Sequence, residues 1–228
     1  MSRRTEGVTM YDLSALLDVD DLAAVEPGTS ILVSGPAMTG KEAFVVDALA
    51  DGLDGGEGAI AVTTNGPADD IVAGLEERVA DLDHARVGVI DCRAEGNREE
   101  EETEAGAYLH HVGAPSDLTG IGIGITKSFE RLHESGLDRG RVALTSLSTM
   151  LTYTDRQTVF KFCHVLSSRL DNAEFLGLFT IDSSAHDEQT LQVVKQAFDG
   201  MIEIRENEGV REARAMGVNP DPSEWIEL

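Results

Sequence analysis

Residues 31–42 read Ile31-Leu32-Val33-Ser34-Gly35-Pro36-Ala37-Met38-Thr39-Gly40-Lys41-Glu42. The segment opens as a short apolar strand, and residues 43–53 after it have the pattern of a helix. Two glycines, Gly35 and Gly40, bound the turn and let its backbone curl until several N–H groups face one point. The segment therefore predicts a strand, a glycine-bounded turn and a helix.

The spacing of these residues is that of a phosphate-binding P-loop, G-x-x-x-x-G-K-[S/T]. Lys41 stands where the lysine of that motif reaches the outer phosphates, and the following helix adds the positive end of its dipole. Glu42 stands where a hydroxyl holds magnesium. We predict that residues 35–42 bind ATP or ADP without a standard magnesium site. The alternative is an ordinary strand–turn–helix corner that binds nothing.

The chain is strongly acidic along its whole length. Its 228 residues carry a net charge of -24 with a pI of about 4.4. Such a surface suits a cytosol with molar salt, because screening there shortens repulsion to about 3 Å, and we infer a halophilic archaeon. The same charge argues against nucleic-acid binding, which needs clustered Lys and Arg.

The sequence contains no signal peptide and no apolar run that would span a membrane, so we predict a cytoplasmic protein. Its two cysteines, Cys92 and Cys163, lack the spacing of a metal site and are interpreted as reduced thiols. We expect an N-terminal arm over residues 1–19, one domain over 20–217 and a tail over 218–228.

Apolar segments alternate along the domain with helical patterns. Five strands followed by helices predict an α/β fold with a mostly parallel sheet covered on both faces, ending in a β-hairpin over 200–205 and 210–216. Ligands bind such sheets at the carboxyl ends of the strands, where the P-loop, Asn65, Thr145 and Asp182 fall. Beyond the first strand and helix, strands are predicted at 59–64, 86–91, 141–148 and 174–182, and helices at 68–82, 117–135, 155–170 and 187–198.

Three segments are predicted to be irregular or short. Residues 1–9 have the composition of a disordered end, and residues 11–17 have apolar residues at the spacing of a short helix. Residues 94–115 contain the run Glu99-Glu100-Glu101-Glu102, which indicates either a solvated, disordered loop or a salt-adapted insertion.

Several segments of the chain are similar to the RecA superfamily and, within it, to the KaiC-like proteins of haloarchaea. The likeness covers roughly residues 20–217. The most specific part is Arg141-Val-Ala-Leu-Thr145-Ser-Leu-Ser148, which resembles the second nucleotide motif of that family. The resemblance implies a RecA-like P-loop fold, an ATP site and assembly through the face that bears the site. It therefore implies a homo-oligomer or a protein partner.

The chain departs from the family pattern at each catalytic position. Thr145 replaces the aspartate that holds the magnesium water, and Asn65 and Gly66 replace the water-activating glutamates. Ala215-Met216-Gly217 replaces a trans-acting Lys-x-Arg pair, with Arg211 and Arg214 nearby but out of register. Because phosphoryl transfer needs all these parts together, we predict a degenerate site with little or no hydrolysis.

Other titratable residues offer weaker candidates for a site. Asp182 and Asp187 follow the fifth strand and either replace the lost metal and water ligands or cap a helix. His110-His111 lacks a convincing third metal ligand, so the catalytic and metal ligands stay unassigned. His164 is expected in the core. His186 follows the fifth strand, and for this residue a place facing the pocket is the less favoured alternative.

Three functions remain open at this point. The first is a nucleotide-binding regulator of signal transduction without efficient hydrolysis. The second is an interaction module with a relic P-loop, in which Glu42 fills the phosphate position. The third is a divergent ATPase that uses Glu42 and Asp182.

Overall fold

A computed structural model describes residues 9–93, 100–217 and 222–228 of the chain. The predicted disorder of residues 1–9 falls almost wholly outside these ranges. Within them, ten strands form one sheet in the order β10-β9-β8-β1-β7-β6-β2-β3-β5-β4. The strands are β1 (Ser30–Gly35), β2 (Gly58–Thr63), β3 (Val87–Asp91), β4 (Glu100–Glu102), β5 (Tyr108–His111), β6 (Gly140–Thr145), β7 (Leu176–Asp182), β8 (Gly200–Asn207), β9 (Val210–Met216) and β10 (Ile226–Glu227).

Helices connect and cover these strands. The side chains of Asp117, Asp155 and Asp187 cap three of them by accepting hydrogen bonds from backbone N–H groups in the first turn. None of the described helices is long and apolar enough to cross a membrane. The α-helices are α1 (Lys41–Asp54), α2 (Ala68–Glu76), α3 (Leu118–Glu134), α4 (Leu147–Tyr153), α5 (Arg156–Ala173) and α6 (Glu188–Lys195).

The sheet is mostly parallel. Strands β8, β1, β7, β6, β2, β3 and β5 run in one direction, while β9 and β4 pair antiparallel with their neighbours. Apolar residues pack on both faces, α1 and α2 on one and α3, α4, α5 and α6 on the other. The predicted α/β fold with a C-terminal hairpin is confirmed.

The connection after β3 contains structure that the acidic run did not predict. Residues 100–102 form the edge strand β4, and each of its glutamates has a cationic or imidazole partner: Glu100 contacts Lys127, Glu101 contacts His111 and Glu102 contacts Arg131. The expectation of a solvated loop is therefore wrong for these residues. Residues 94–99 lie outside the described ranges.

Three other local expectations are wrong. Residues 11–17 form turns and one bridge between Tyr11 and Val25, because their apolar side chains are buried individually against the sheet. Helix α2 ends at Glu76, well before the predicted residue 82. The strand predicted at 141–148 ends at Thr145, because Ser146 caps α4 by accepting a hydrogen bond from the Ser148 N–H.

Candidate functional site

The loop from Gly35 to Gly40 leaves the carboxyl end of β1 and enters α1 at Lys41. Strand β1 lies between β8 and β7, and Gly35 is in register with Asp182 of β7. Gly40 adopts a left-handed conformation with φ 88°, which a residue with a Cβ atom tolerates poorly. The sequence thus places a tight turn and a helix N-terminus at the carboxyl edge of the sheet, as predicted.

Lys41 is buried inside this corner, with only 2% of its surface exposed. Its Nζ atom donates a hydrogen bond to the Pro36 carbonyl at 2.6 Å, and the Thr39 hydroxyl donates to the same carbonyl at 2.8 Å. Lys41 forms no ion pair with any described residue. An ammonium group has three donors, so the buried charge of Lys41 is only partly compensated by the chain itself.

Two other side chains of the loop region carry no hydrogen bond or ion pair among the described residues. Glu42 is half-buried in the first turn of α1, where its charge is favoured by the helix dipole. Met38, at the apex of the loop, is 95% exposed and left-handed with φ 62°. The loop therefore offers one acid and one large apolar side chain to whatever approaches it.

Asp182 ends β7 beside the loop. Burial opposes its ionisation, but hydrogen bonds from the Ser184 hydroxyl and amide, together with the charge of Lys41, lower the pKa of its carboxyl. The Ser184 hydroxyl and N–H donate to the same Asp182 oxygen at 2.6 and 2.8 Å. The carboxylate is thus ionised near Lys41 and holds the turn after β7.

The two neighbouring strand ends are closed by their own hydrogen bonds. The Thr64 N–H donates to the Thr145 carbonyl at 2.6 Å, and the Thr64 hydroxyl accepts from the Ser146 N–H at 2.7 Å. Thr145 is buried and contributes no carboxylate, while Asn65 is exposed beyond the end of β2. The hydrogen bonds of Thr64 therefore join the ends of β2 and β6, and neither Thr145 nor Asn65 offers a carboxylate to the loop.

Ser148 and His186 meet at the same edge of the sheet. The Ser148 hydroxyl accepts a hydrogen bond from the Asp182 N–H at 2.9 Å and lies 2.8 Å from His186 Nε2. His186 therefore lies at the same edge of the sheet as the loop. Asp187 accepts a hydrogen bond from the Thr190 N–H at 2.7 Å, so it caps α6.

Arg211 is a residue of this corner that the sequence did not assign to it. Along β9, Arg211 alternates onto the same face as Ala213 and Ala215, which are buried in the core layer that contains α1. Its Nη1 atom lies 2.6 Å from the point that a Cβ on Gly40 would occupy. The alternation of side chains along β9 could have placed Arg211 on the face of the loop. That inference also requires knowing that β8 lies beside β1.

The histidines that sequence reasoning placed elsewhere do not form a further site. His164 is exposed on α5 and stacks on Phe160, so its expected place in the core is wrong. His111 contacts Glu101, and the described residues contain no group of three or more His, Cys, Asp or Glu side chains that would hold a metal. Cys92 and Cys163 are buried and free, and burial raises the pKa of both thiols.

A groove lies at the other end of β1. It has a volume of about 790 Å³ and is lined by Gly28, Thr29, His164 and several carboxylates. No described Lys or Arg lines it. Because polyphosphates need cations or free N–H donors, this groove does not suit a nucleotide. The carboxylates are those of Asp20, Glu26, Asp171 and Asp199.

Residues 28–204 match the model of a family of unknown function, DUF7504. The chain belongs to this family. The matched range includes the loop, Lys41, Thr145 and Asp182, but ends before Arg211. Among curated proteins, none matches this DUF7504 member.

The fold of this DUF7504 member is similar to that of a KaiC-like protein from the hyperthermophilic archaeon Pyrococcus horikoshii, with a TM-score of 0.61. The two sequences are 12% identical, and the similarity covers 99% of this chain and 91% of the other. At this identity the comparison defines the fold, which is RecA-like, and leaves the function to be argued from the site.

Proposed function

We propose that this protein binds ATP or ADP at residues 35–42 and acts as a regulatory or signalling protein with little or no ATP hydrolysis. The observation that carries the proposal is the buried ammonium of Lys41, which has one hydrogen bond and no ion pair among the described residues. A phosphate group seated on the loop supplies the missing negative charge. The N–H groups at the start of α1 favour the same anion.

The proposal of weak hydrolysis rests on the neighbouring strand ends. Efficient phosphoryl transfer combines a phosphate cradle, a metal, a positioned water and charge neutralisation. Here Thr64 and Thr145 are engaged with each other, and Asn65 is exposed without a carboxylate. Asp182 is occupied by the turn after β7. Nucleotide occupancy would therefore act by changing conformation or assembly, which a partner or a second copy of the chain reads.

One observation favours the alternative of an interaction module without nucleotide. Met38 is a large apolar residue, 95% exposed at the apex of the loop, where it is accessible to another protein. Under this alternative, the hydrogen bond from Lys41 Nζ to the Pro36 carbonyl is sufficient for both groups, and Glu42 repels phosphate. The divergent ATPase that uses Glu42 and Asp182 is the remaining alternative, and hydrolysis assays separate it from the other two.

The test is thermal unfolding with and without ATP or ADP, in KCl near 1 M to match the screening that the charge of the chain implies. A ligand at a hundred times its dissociation constant adds roughly 2.7 kcal/mol to the free energy of unfolding. We expect this shift for the wild type and its loss in Lys41→Ala. Lys41→Met, which keeps the buried stem, provides a second variant if the alanine variant is unstable.

Lys161→Ala is the matched control, because Lys161 is exposed on α5, remote from the loop, and carries the same charge. It should shift with nucleotide as the wild type does. No shift of the wild type with either nucleotide, with or without magnesium, would reject nucleotide binding and leave the interaction module. Phosphate release that depends on Lys41 and on magnesium would instead establish the divergent ATPase.

A further inference from the structure

A polyphosphate at this loop needs more positive charge than Lys41 supplies. In a standard P-loop the remainder comes from magnesium, held by the hydroxyl after the lysine and by an acid on a neighbouring strand. The donors of this chain do not fit that arrangement. The hydroxyl position is Glu42, and the acid position is Thr145, whose carbonyl accepts hydrogen bonds from the N–H and hydroxyl of Thr64.

The hairpin β8–β9 brings a cation to the loop from the same chain. Strand β8 runs beside β1, and β9 continues the sheet outward, so the β8–β9 turn lies at the carboxyl edge with the loop. Arg211 is near that turn and reaches Gly40, with its Nη1 atom 2.6 Å from the point that a Cβ on Gly40 would occupy. A guanidinium there lies at the N-terminus of α1, one residue from Lys41.

Arg211 differs from the other arginines of the hairpin. Arg205 is paired with Glu212 at 2.7 Å, and Arg214 is paired with Glu203 at 2.6 Å. Both also stack on Trp225, on the opposite face of the hairpin. Their charges are therefore compensated within the hairpin.

The side chain of Arg211 makes no ion pair or hydrogen bond within residues 9–93, 100–217 and 222–228, although Glu206 lies opposite it on β8. The backbone carbonyl of Arg211 does have a partner among these residues: it accepts a hydrogen bond from the Leu228 N–H at 2.9 Å. The guanidinium is thus exposed, charged and directed at the loop, and no carboxylate of the described residues pairs with it.

We propose that Arg211 takes the place of the divalent cation, so that the loop binds nucleoside di- or triphosphates without magnesium. This inference rests on the proposed nucleotide binding. A guanidinium presents a planar set of donors that matches phosphate oxygens in pairs and remains charged at all physiological pH values. Arg211 and Lys41 then contact the polyphosphate from the two sides of Gly40.

The test is titration calorimetry with ADP and ATP in EDTA and in excess magnesium, again in KCl near 1 M. The wild type should bind equally in both buffers. Arg211→Gln should lose roughly tenfold to a hundredfold in affinity, the range for a charge-assisted hydrogen bond. Arg211→Lys should recover part of that loss, because it restores the charge but not the paired donors.

Arg214→Gln is the matched control, since it removes the same charge from the same strand but from the opposite face. It should bind like the wild type. Circular dichroism of each variant verifies that the hairpin remains folded.

Two results would overturn the inference while leaving nucleotide binding in place. They are wild-type binding that EDTA abolishes, and binding by Arg211→Gln that equals the wild type. Failure of the wild type to bind in either buffer would reject the proposed function and this inference together.

Discussion

The two ends of β1 make an instructive pair. At its amino end, Gly28 turns with φ 87° beside a groove of about 790 Å³ lined by carboxylates. At its carboxyl end, Gly40 turns with φ 88° beside a buried lysine and an arginine that has no ion pair among the described residues. The first end has space and no cation among its described residues. The second has two cations and the N–H groups of α1.

Under the proposed function, uncompensated positive charge marks the binding site and volume does not. At the amino end the Asp199 carboxylate accepts a hydrogen bond from the Ser30 N–H at 2.8 Å, so a polar group of the groove is engaged in holding the strand. At the carboxyl end Lys41 and Arg211 retain donors without partners among the described residues. Stability should therefore depend on the first end and ligand binding on the second.

The largest effect is expected for Gly28→Ala. A Cβ at Gly28 would lie 2.6 Å from Asp171 Cα, a backbone atom that cannot move aside, and the residue is left-handed. We expect a loss of about 2–5 kcal/mol in the free energy of unfolding, from left-handed strain and overpacking together. Chemical denaturation measures it. Gly56→Ala, equally left-handed with φ 87° but with open space around it, should lose only the strain of about 1–2 kcal/mol.

A smaller effect on stability is expected for Gly40→Ala. Its Cβ would meet Nη1 of Arg211, the far end of a flexible side chain, so the loss in unfolding free energy should be only the left-handed strain of about 1–2 kcal/mol. Displacement of the guanidinium should also weaken nucleotide binding in EDTA. A Gly40→Ala variant that is destabilised as much as Gly28→Ala, with unchanged binding, would contradict the division between the two ends.

The smallest effect is expected for Asp182→Asn. The pKa of Asp182 is lowered in the folded protein, so its carboxylate stabilises the fold above the pKa of the unfolded chain, and this contribution disappears as pH falls through the lowered value. The wild type should exceed the variant by about 0.5 kcal/mol at pH 7, because the group is partly solvated. Unfolding measured from pH 7 down to the acid limit should show the difference vanish. Asp81→Asn, an exposed aspartate remote from the loop, should show no such change.

Most of the fold follows from local patterns. The five central strands are apolar runs buried on both faces, and such runs are recognisable without tertiary information. The turn before Lys41 was predictable because glycine spacing reflects backbone geometry directly. Whether the loop binds a nucleotide remains a prediction.

The missed features depend on contacts between distant parts of the chain. Strand β4 is a run of glutamates, which disfavours a strand until Lys127 and Arg131 of α3 neutralise two of them. Arg211 reaches Gly40 because β8 lies next to β1, and strand order cannot be read from apolar periodicity. The segment with the motif therefore contains only one of the two cations of the candidate site, Lys41, while Arg211 comes from β9.

The edge strand β4 has a consequence for how copies of this protein meet. An open sheet edge invites pairing with the edge of another molecule. All three residues of β4 are exposed glutamates with partners on their own molecule, so a second β4 alongside would either disturb those pairs or place like charges directly opposite each other. At the other edge β10 is only two residues long. Neither edge strand therefore favours pairing with the sheet of another molecule. An assembly of this chain would use its helices and loops rather than its strand edges.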